Sequence, residues 1–502
     1  MSRLRLEDFK DIQRLVLQSL PLYRAARYNL MRIEGDEEKE AKSEINRLLK
    51  FVASTDGDNK KEDKDSPFRI CIAFTWKGLQ RLGLTEENLR NVPLAFKEGM
   101  ASTIRASRLK DEPCDWKWSD AYGVAATTNG KKPSKTDNEI HALIALFSKV
   151  DDDEFSESVS QKLDEDWQTL TSSISLSAFS CIHQLPDAFV RKDFKGHFGY
   201  RDGISQPYIE GSGTSRRPQG KFADVHVVKA GEFILGHHNE FAQQVPALWV
   251  DIEQFPEAKV LRQYGLERNR RDFGRNGTYL VFRQLRQNVT KFESFLERAS
   301  LSSTPGDITN REMIAAKLIG RWRSGAPLAL CPEKDNKNQE TNNDFMYDLE
   351  DRYGYKCPIG AHIRRSYPRD AIVEQGAPLD SETALMSSRR RRLLRRGRPY
   401  HAGGKDGTDV GLHFICLNAD IREQFEFVQE TWINNRRFGV TRDEVDPFVG
   451  SGTDLQERKF TIQKSPVSQS FILGDFVDVV GGGYFFLPSK RALSFLASLT
   501  VT

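Results

Sequence analysis

The stretch GLHFICLNADIREQFEFVQETWINN, Gly411 to Asn435, opens with an apolar run of strand length. It continues into a segment where Ile421, Phe425, Phe427, Val428 and Trp432 recur near helical spacing. The first part reads as a β-strand and the second as a helix with one buried face. The same plan recurs in FRICIAFTWKGLQRLGL from Phe68, in TYLVFRQLRQNVTKFESFLERA from Thr278 and in GGGYFFLPSKRALSFLASL from Gly481. Strand-then-helix segments spread over both halves predict an α+β protein with helices packed on sheets. No strict sequence repeat is present, so any internal duplication has to be structural.

Around these segments the composition is that of a globular chain. With 502 residues, 38% hydrophobic and 29% charged, there is ample material for a buried core, and two or three units follow from roughly 150 residues per domain. The net charge of +3 disfavours a strongly basic nucleic-acid binder and an acidic disordered chain. Six cysteines, Cys71, Cys114, Cys181, Cys331, Cys357 and Cys416, form no Cys-x-x-Cys pair, so neither a zinc ribbon nor a disulfide scaffold is indicated. Glu7 and Asp8 fall where a secretory signal needs an apolar stretch, and no apolar run is long enough for a transmembrane helix. A cytoplasmic, membrane-free protein is the expectation. Polar stretches from Thr55, Ala125 and Pro332 read as surface loops. A boundary in the loop GSGTSRRPQG, Gly211 to Gly220, divides the chain into units 1–215 and 216–502.

Three segments carry the candidate chemistry. In GHFGYRDGISQPYIEG, Gly196 to Gly211, closely spaced glycines allow a tight turn around Asp202, and a solvated turn is the bland alternative. In KCPIGAHIRRSYPRD, Lys356 to Asp370, His362 is followed by Arg364, Arg365 and Arg369. A neutral imidazole is a good iron ligand, and guanidinium groups pair with carboxylates such as haem propionates; a lone histidine is more often an ordinary hydrogen-bonded residue. In SSRRRRLLRRGRPYH, Ser387 to His401, seven arginines fall among the ten residues Arg389 to Arg398. Such a run can neutralise phosphates, but Leu393, Leu394 and the turn from Gly397 to Pro399 argue that it is folded. Signatures of P-loop nucleotide hydrolysis, zincin proteolysis and α/β-hydrolase chemistry are missing.

Together and in this order, GYRDGISQP, CPIGAHIRR and LLRRGRPY resemble the signature of the dye-decolourising peroxidases, and the likeness extends to FTWKGLQRLGL, GEFILGHHNE, GRWRSGAPL, FICLNADIREQFEFVQ and GGGYFFLPS. It covers nearly the whole chain and is closest to the larger members. The resemblance implies two ferredoxin-like α+β domains, antiparallel sheets with peripheral helices, with one haem b per chain held mainly by the second. It implies that His362 is the axial iron ligand, Asp202 the distal acid and Arg395 the distal arginine, with Arg396 as the neighbouring alternative. By the same matching Leu412 and Phe414 are apolar pocket residues, Arg364 a propionate partner and Asp446 the acceptor behind His362. Tyr400 and Trp432 match positions that act as surface radical sites in some members, core packing being the other reading. His401 and Arg398 depart from the usual pattern around Pro-Tyr.

The expected activity is oxidation of dyes, phenolic and other aromatic reductants by hydrogen peroxide in one-electron steps. Asp202 would serve as the base and Arg395 would stabilise developing negative charge. An aspartate of ordinary pKa, about 3.9, stays ionised in mild acid where an imidazole of about 6.5 is protonated, so activity should persist at acidic pH. The competing classes are a haem-handling protein with incidental peroxidase activity and an arginine-rich nucleic-acid binder.

Overall fold

A computed structural model describes residues 4–35, 37–55, 66–122, 139–213, 217–374, 377–403, 409–451 and 458–500. Most of the polar stretches from Thr55 and Ala125, and the boundary expected between residues 215 and 216, lie outside the described residues.

The first unit runs β1 (Ala25–Ile33), α1 (Glu38–Leu48), β2 (Phe68–Phe74), β3 (Ala142–Ser148), α2 (Glu157–Ile174) and β4 (Phe179–Gln184). β1 lies between β4 and β3, β2 pairs outside β3, and all pairs are antiparallel. The second unit repeats this plan. It runs β5 (Thr278–Gln287), α3 (Val289–Ala299), β6 (Arg398–His401), β7 (Val410–Asn418), the helix α4, built of the turns Arg422–Glu426 and Val428–Ile433, β8 (Val477–Leu487) and α5 (Lys490–Ser498). Here β5 lies between β7 and β8, and β6 pairs outside β7. Each unit is thus a ferredoxin-like βαββαβ sheet, and the strand-helix segments read from the sequence are its β2, β5, β7 and β8 with the helices that follow.

The two sheets join edge to edge. β8 meets β2 at Phe486 and Phe74, and the short strand Ala188–Phe189 links β1 to β6. With β5 on β7 the ring of strands closes, and this removes the exposed edges that a single open sheet would present. Successive side chains along a strand point to opposite faces. Tyr28, Leu30, Phe147, Phe282 and Ile415 therefore fill the interior of the ring. Met31, Ile144, Leu146 and Val281 face outward, into the layer that also contains α1, α2 and α5. Helix α5 starts at Ser489, whose hydroxyl accepts the Ala492 N–H, and buries Leu493, Phe495 and Leu496.

α4 differs from the regular α-helix that the spacing predicts. Glu426 N–H bonds to Ile421 C=O and Asn434 N–H to Gln429 C=O, five residues apart, so the turns are π-helical. Wide turns of this kind concentrate at functional sites. Here they bring Phe425, Val428, Gln429 and Ile433 to one cavity. Among the described residues no helix is long and apolar enough to cross a membrane.

Gly411 keeps β7 close to both neighbours. A Cβ there would fall 2.1 Å from Leu285 O and 2.5 Å from the Tyr400 ring. Gly411→Ala is expected to cost about 1–3 kcal/mol, as overpacking does. Chemical denaturation measures this as a lower midpoint at unchanged slope.

Candidate functional site

The cavity, about 350 Å³, lies where the outer face of β5, β7 and β8 meets α4 and the short helix His362–Ser366. Its size is within the range of small-ligand sites. Period-two alternation places Leu412 and Phe414 on its wall, across β5 from which Leu285 and Arg283 also face it. Val428 and Ile433 of α4 and Phe448 add further apolar surface.

His362, the first residue of its helix, has its Nδ1 2.9 Å from Asp446 Oδ2. Asp446 is fully buried, and its Oδ1 accepts the N–H groups of Phe448 and Val449, each at 2.9 Å. Burial alone would raise the Asp446 pKa. The His362 imidazole and these N–H donors outweigh it and hold the carboxyl below its ordinary value. An anionic acceptor keeps the proton on Nδ1, which leaves Nε2 as the lone-pair nitrogen for the cavity. The Phe448 ring stands edge-on to the imidazole, 6.0 Å between centroids.

Asp202 borders the same cavity on an exposed turn. Its N–H bonds to Phe194 C=O, and its Oδ1 accepts the Gly203 N–H at 2.6 Å. Gly199 and Gly203 take the positive φ values of 81° and 78° that this turn requires. Arg395, in the strand Leu394–Arg395 that pairs with β7, donates Nη2–H to Ile204 C=O at 2.9 Å, and Gln206 Oε1 accepts its backbone N–H. Both residues are thereby tied to one loop. Arg396 takes the other face of the strand and donates to Leu15 and Val16 carbonyls, away from this cavity. Of the neighbouring pair, Arg395 is the arginine that reaches it.

Three expectations need correction. Arg364 does not reach the cavity wall: it is buried, donating to Asp351 Oδ2 at 3.1 Å and to the Cys357 carbonyl, and stacks on Tyr347. Tyr400 and Trp432 are not at the surface, with 0% and 4% exposure, because both belong to packed aromatic clusters. Tyr400 stacks on His413 at 4.5 Å inside the strand ring. The buried His413, whose Nε2 faces Pro186 O, is pushed down to about 4 by burial and stays neutral.

The guanidinium groups that do line the cavity besides Arg395 and Arg283 are Arg201, which pairs with Glu340 at 2.9 Å, and Arg321, Arg369 and Arg392. Arg321 donates to Gly325 and Asn342 carbonyls, Arg369 to Asn343, and Arg392 to Ser205, while Arg392 Nη1 is buried without a hydrogen-bond partner. No carboxylate pairs with Arg321, Arg369, Arg392 or Arg395 among the described residues. Burial and the neighbouring Arg369 and Arg395 push Arg321 down to about 10. The sequence marks arginines near His362, but which of them faces inward depends on backbone turns: Arg369 sits at φ 58°, which swings it away from the helical direction.

No known family profile matches the chain. The chain is 28% identical to a dye-decolorizing peroxidase of Mycena epipterygia over 474 residues, covering 86% of this chain and 76% of the relative. It is 27% identical to one of Auricularia auricula-judae over 447 residues, 84% and 74% of the two chains. Among solved structures, an ancestral D-type dye decolorizing peroxidase superposes with a TM-score of 0.72 at 25% identity, over 98% of this chain and 99% of that one. A fungal DyP-type peroxidase from Auricularia auricula-judae shows the same fold, with a TM-score of 0.73 at 23% identity and the same coverage.

Asp446→Ala leaves the His362 N–H and two backbone N–H groups without their acceptor and is expected to cost about 1–3 kcal/mol. Because the native carboxyl is held low, its stabilisation is present above the ordinary aspartate pKa of about 3.9 and is lost as pH falls through the lower native value. The stability gap between wild type and variant should be full at pH 5–7 and close below about pH 4 in denaturation curves.

Proposed function

We propose that this chain, which belongs to the dye-decolourising peroxidase family, works by pairing an iron-ligating His362 with a peroxide-handling Asp202 and Arg395 around one cavity. It is an oxidoreductase that uses hydrogen peroxide to oxidise dyes and phenolic compounds, and it binds haem. The observation that carries the residue assignment is the buried Asp446 carboxylate on His362 Nδ1, because it orients Nε2 as a ligand toward a cavity that Asp202 and Arg395 also border.

The lining suits a haem, which we take to be haem b, one per chain. Leu412, Phe414, Val428 and Ile433 offer apolar surface for a macrocycle, and His362 a nitrogen ligand. The orphaned Arg392 Nη1 and the unpaired charges of Arg321 and Arg369 call for carboxylates. These arginines, in place of Arg364, would hold the propionates. When bound, haem supplies the redox-active iron at which peroxide is reduced.

The chain's own residues account for the rest. Asp446 fixes the His362 ring through the shared Nδ1 proton, which leaves Nε2 as the nitrogen that would hold iron. The Asp202 oxygens take the proton from one peroxide oxygen and return it to the other, which leaves as water. Arg395, always charged and fixed on Ile204 C=O, stabilises the negative charge that grows as the O–O bond breaks. The apolar wall excludes bulk water from the reacting oxygen.

The alternatives have weaker support. Likeness to a deferrochelatase of Yersinia pestis spans 138 residues, 27% of this chain. The arginine run is engaged within the fold: Arg391 pairs with Glu423 and stacks on Phe427, Arg396 holds the Leu15 segment, and Arg398 holds Ser19 and Tyr23 carbonyls.

Asp202→Asn and Arg395→Leu should each slow the reaction with peroxide by about 10²–10⁴-fold with haem still bound. Stopped-flow absorption at the Soret band measures this, and unchanged rates in both variants would refute the assignment. His362→Ala should abolish the Soret band of the ligated haem, whereas Arg364→Gln should leave it in place.

A further inference from the structure

Residues 204–206 follow the Asp202 turn directly and are gripped from one side by two arginines. Arg392 Nη2 donates to Ser205 C=O at 2.7 Å, Arg395 Nη2 donates to Ile204 C=O at 2.9 Å, and Gln206 Oε1 accepts the Arg395 N–H at 3.1 Å. Between these contacts Ser205 stands at φ 61°, the left-handed region that a residue with a Cβ enters only at a cost. Ile204 also lies against Gly325, and Arg201 pairs with Glu340, so the margins of the turn are tied as well. Its other side opens on a second, larger chamber of about 920 Å³, which shares Asp202, Ser205 and Arg395 with the first cavity.

Arg392 is fixed at its base and unsatisfied at its tip. Its carbonyl accepts Gln424 Nε2 at 3.1 Å, which ties its backbone to α4, and its guanidinium lies 4.0 Å from the centroid of the Tyr367 ring. The residue is 4% exposed, and Nη1, the nitrogen that does not reach Ser205, is buried without a hydrogen-bond partner at the wall of the first cavity. Burial and the charges of Arg369 and Arg395 hold its pKa below the ordinary arginine value. With like charges crowded on one wall, this guanidinium gains more from an anion than an exposed one would. A carboxylate on Nη1 and the Ser205 carbonyl on Nη2 would occupy neighbouring donors of one rigid plane.

We propose that Arg392 is a positioning residue that couples occupancy of the cofactor cavity to the conformation of the Asp202 turn. A carboxylate at Nη1 balances the charge and stops the guanidinium from rotating. Nη2 then holds Ser205 in its left-handed conformation, and the turn presents Asp202 beside Arg395. The inference rests on the haem reading, since it takes the carboxylate to be a propionate. The peroxide-handling pair is then fully ordered only in the loaded protein.

Amide hydrogen exchange, read by mass spectrometry on fragments covering residues 203–206, tests this without turnover. The apoprotein is compared with protein loaded with protohaem, with protohaem dimethyl ester or with metal-free protoporphyrin IX. Protohaem should slow exchange at the turn by about tenfold in the wild type. Protoporphyrin, which keeps the carboxylates and lacks iron, should give most of that protection. The ester, which keeps iron and lacks the carboxylates, should give little, although its Soret band still depends on His362. In Arg392→Leu the protection by protohaem should be lost, and Arg392→Lys, which keeps the charge, should restore part of it. An ester that protects the turn as fully as protohaem, or protection that survives in Arg392→Leu, would overturn the proposal. The ester comparison uses the wild-type chain and so does not depend on how the variants fold. A His362-dependent Soret band with unchanged exchange at the turn rejects the coupling alone. Absence of any His362-dependent Soret band rejects the haem reading, and the coupling with it.

Discussion

In a ring of strands whose edges meet, each residue of β5 and β7 has two destinations, the sealed interior or the outer face under α4. That constraint sets the rest of the molecule. Phe282, Ile415 and Leu417 go inward with Tyr28 and Tyr400, while Arg283, Leu412 and Phe414 go outward and become cavity wall. A one-residue slip of β7 would exchange the two sets, placing His413 at the cavity and Phe414 in the aromatic core. Gly411, Leu285 and Tyr400 fit too closely for such a slip to be tolerated.

On the outer face the controlling term is charge out of water. Desolvation disfavours both the Asp446 carboxylate and the arginines, but the two are treated differently. Asp446 is satisfied within the chain, by one imidazole and two backbone N–H groups, and so stays ionised and fixes the His362 ring. Arg321, Arg369 and Arg392 donate only to carbonyls, Arg392 Nη1 to nothing, and no carboxylate among the described residues balances their charge. Their field also reaches the neighbouring His226, which burial and these arginines push down to about 3. A cavity with one oriented lone pair and an unbalanced rim of guanidinium groups suits the anionic, metal-bearing cofactor of the proposed function.

Asp202 and Arg395 sit where this cavity meets the larger chamber. In the proposed function their position couples two tasks. Peroxide handling needs a fixed base and cation, which the Gly199–Gly203 turn and the Ile204 carbonyl supply. Admission of a reducing molecule needs an open side, for which the exposed Asp202 turn is suited. The same loop satisfies both because its glycines bend the backbone so that one face lies on each space.

By itself the sequence determined the strand-helix plan, since two-residue alternation and amphipathic spacing are local properties, and through its family resemblance it pointed to the motif residues His362, Asp202 and Arg395. By the same resemblance it pointed to Leu412 and Phe414 as pocket residues and, more weakly, to Asp446 behind His362. Only the tertiary structure decided that the two sheets close into one ring, because the meeting of Phe486 with Phe74 and of Ala188 with Tyr400 is a contact between distant segments. It alone decided that Arg321, Arg369 and Arg392, not Arg364, face the cavity, and that Tyr400 and Trp432 are buried. Spacing along a chain tells which residues share a face, but the direction in which that face looks is fixed by packing against remote elements. For α4 even the spacing misled, since π-helical turns are held by tertiary contacts and leave little mark in the pattern of apolar residues.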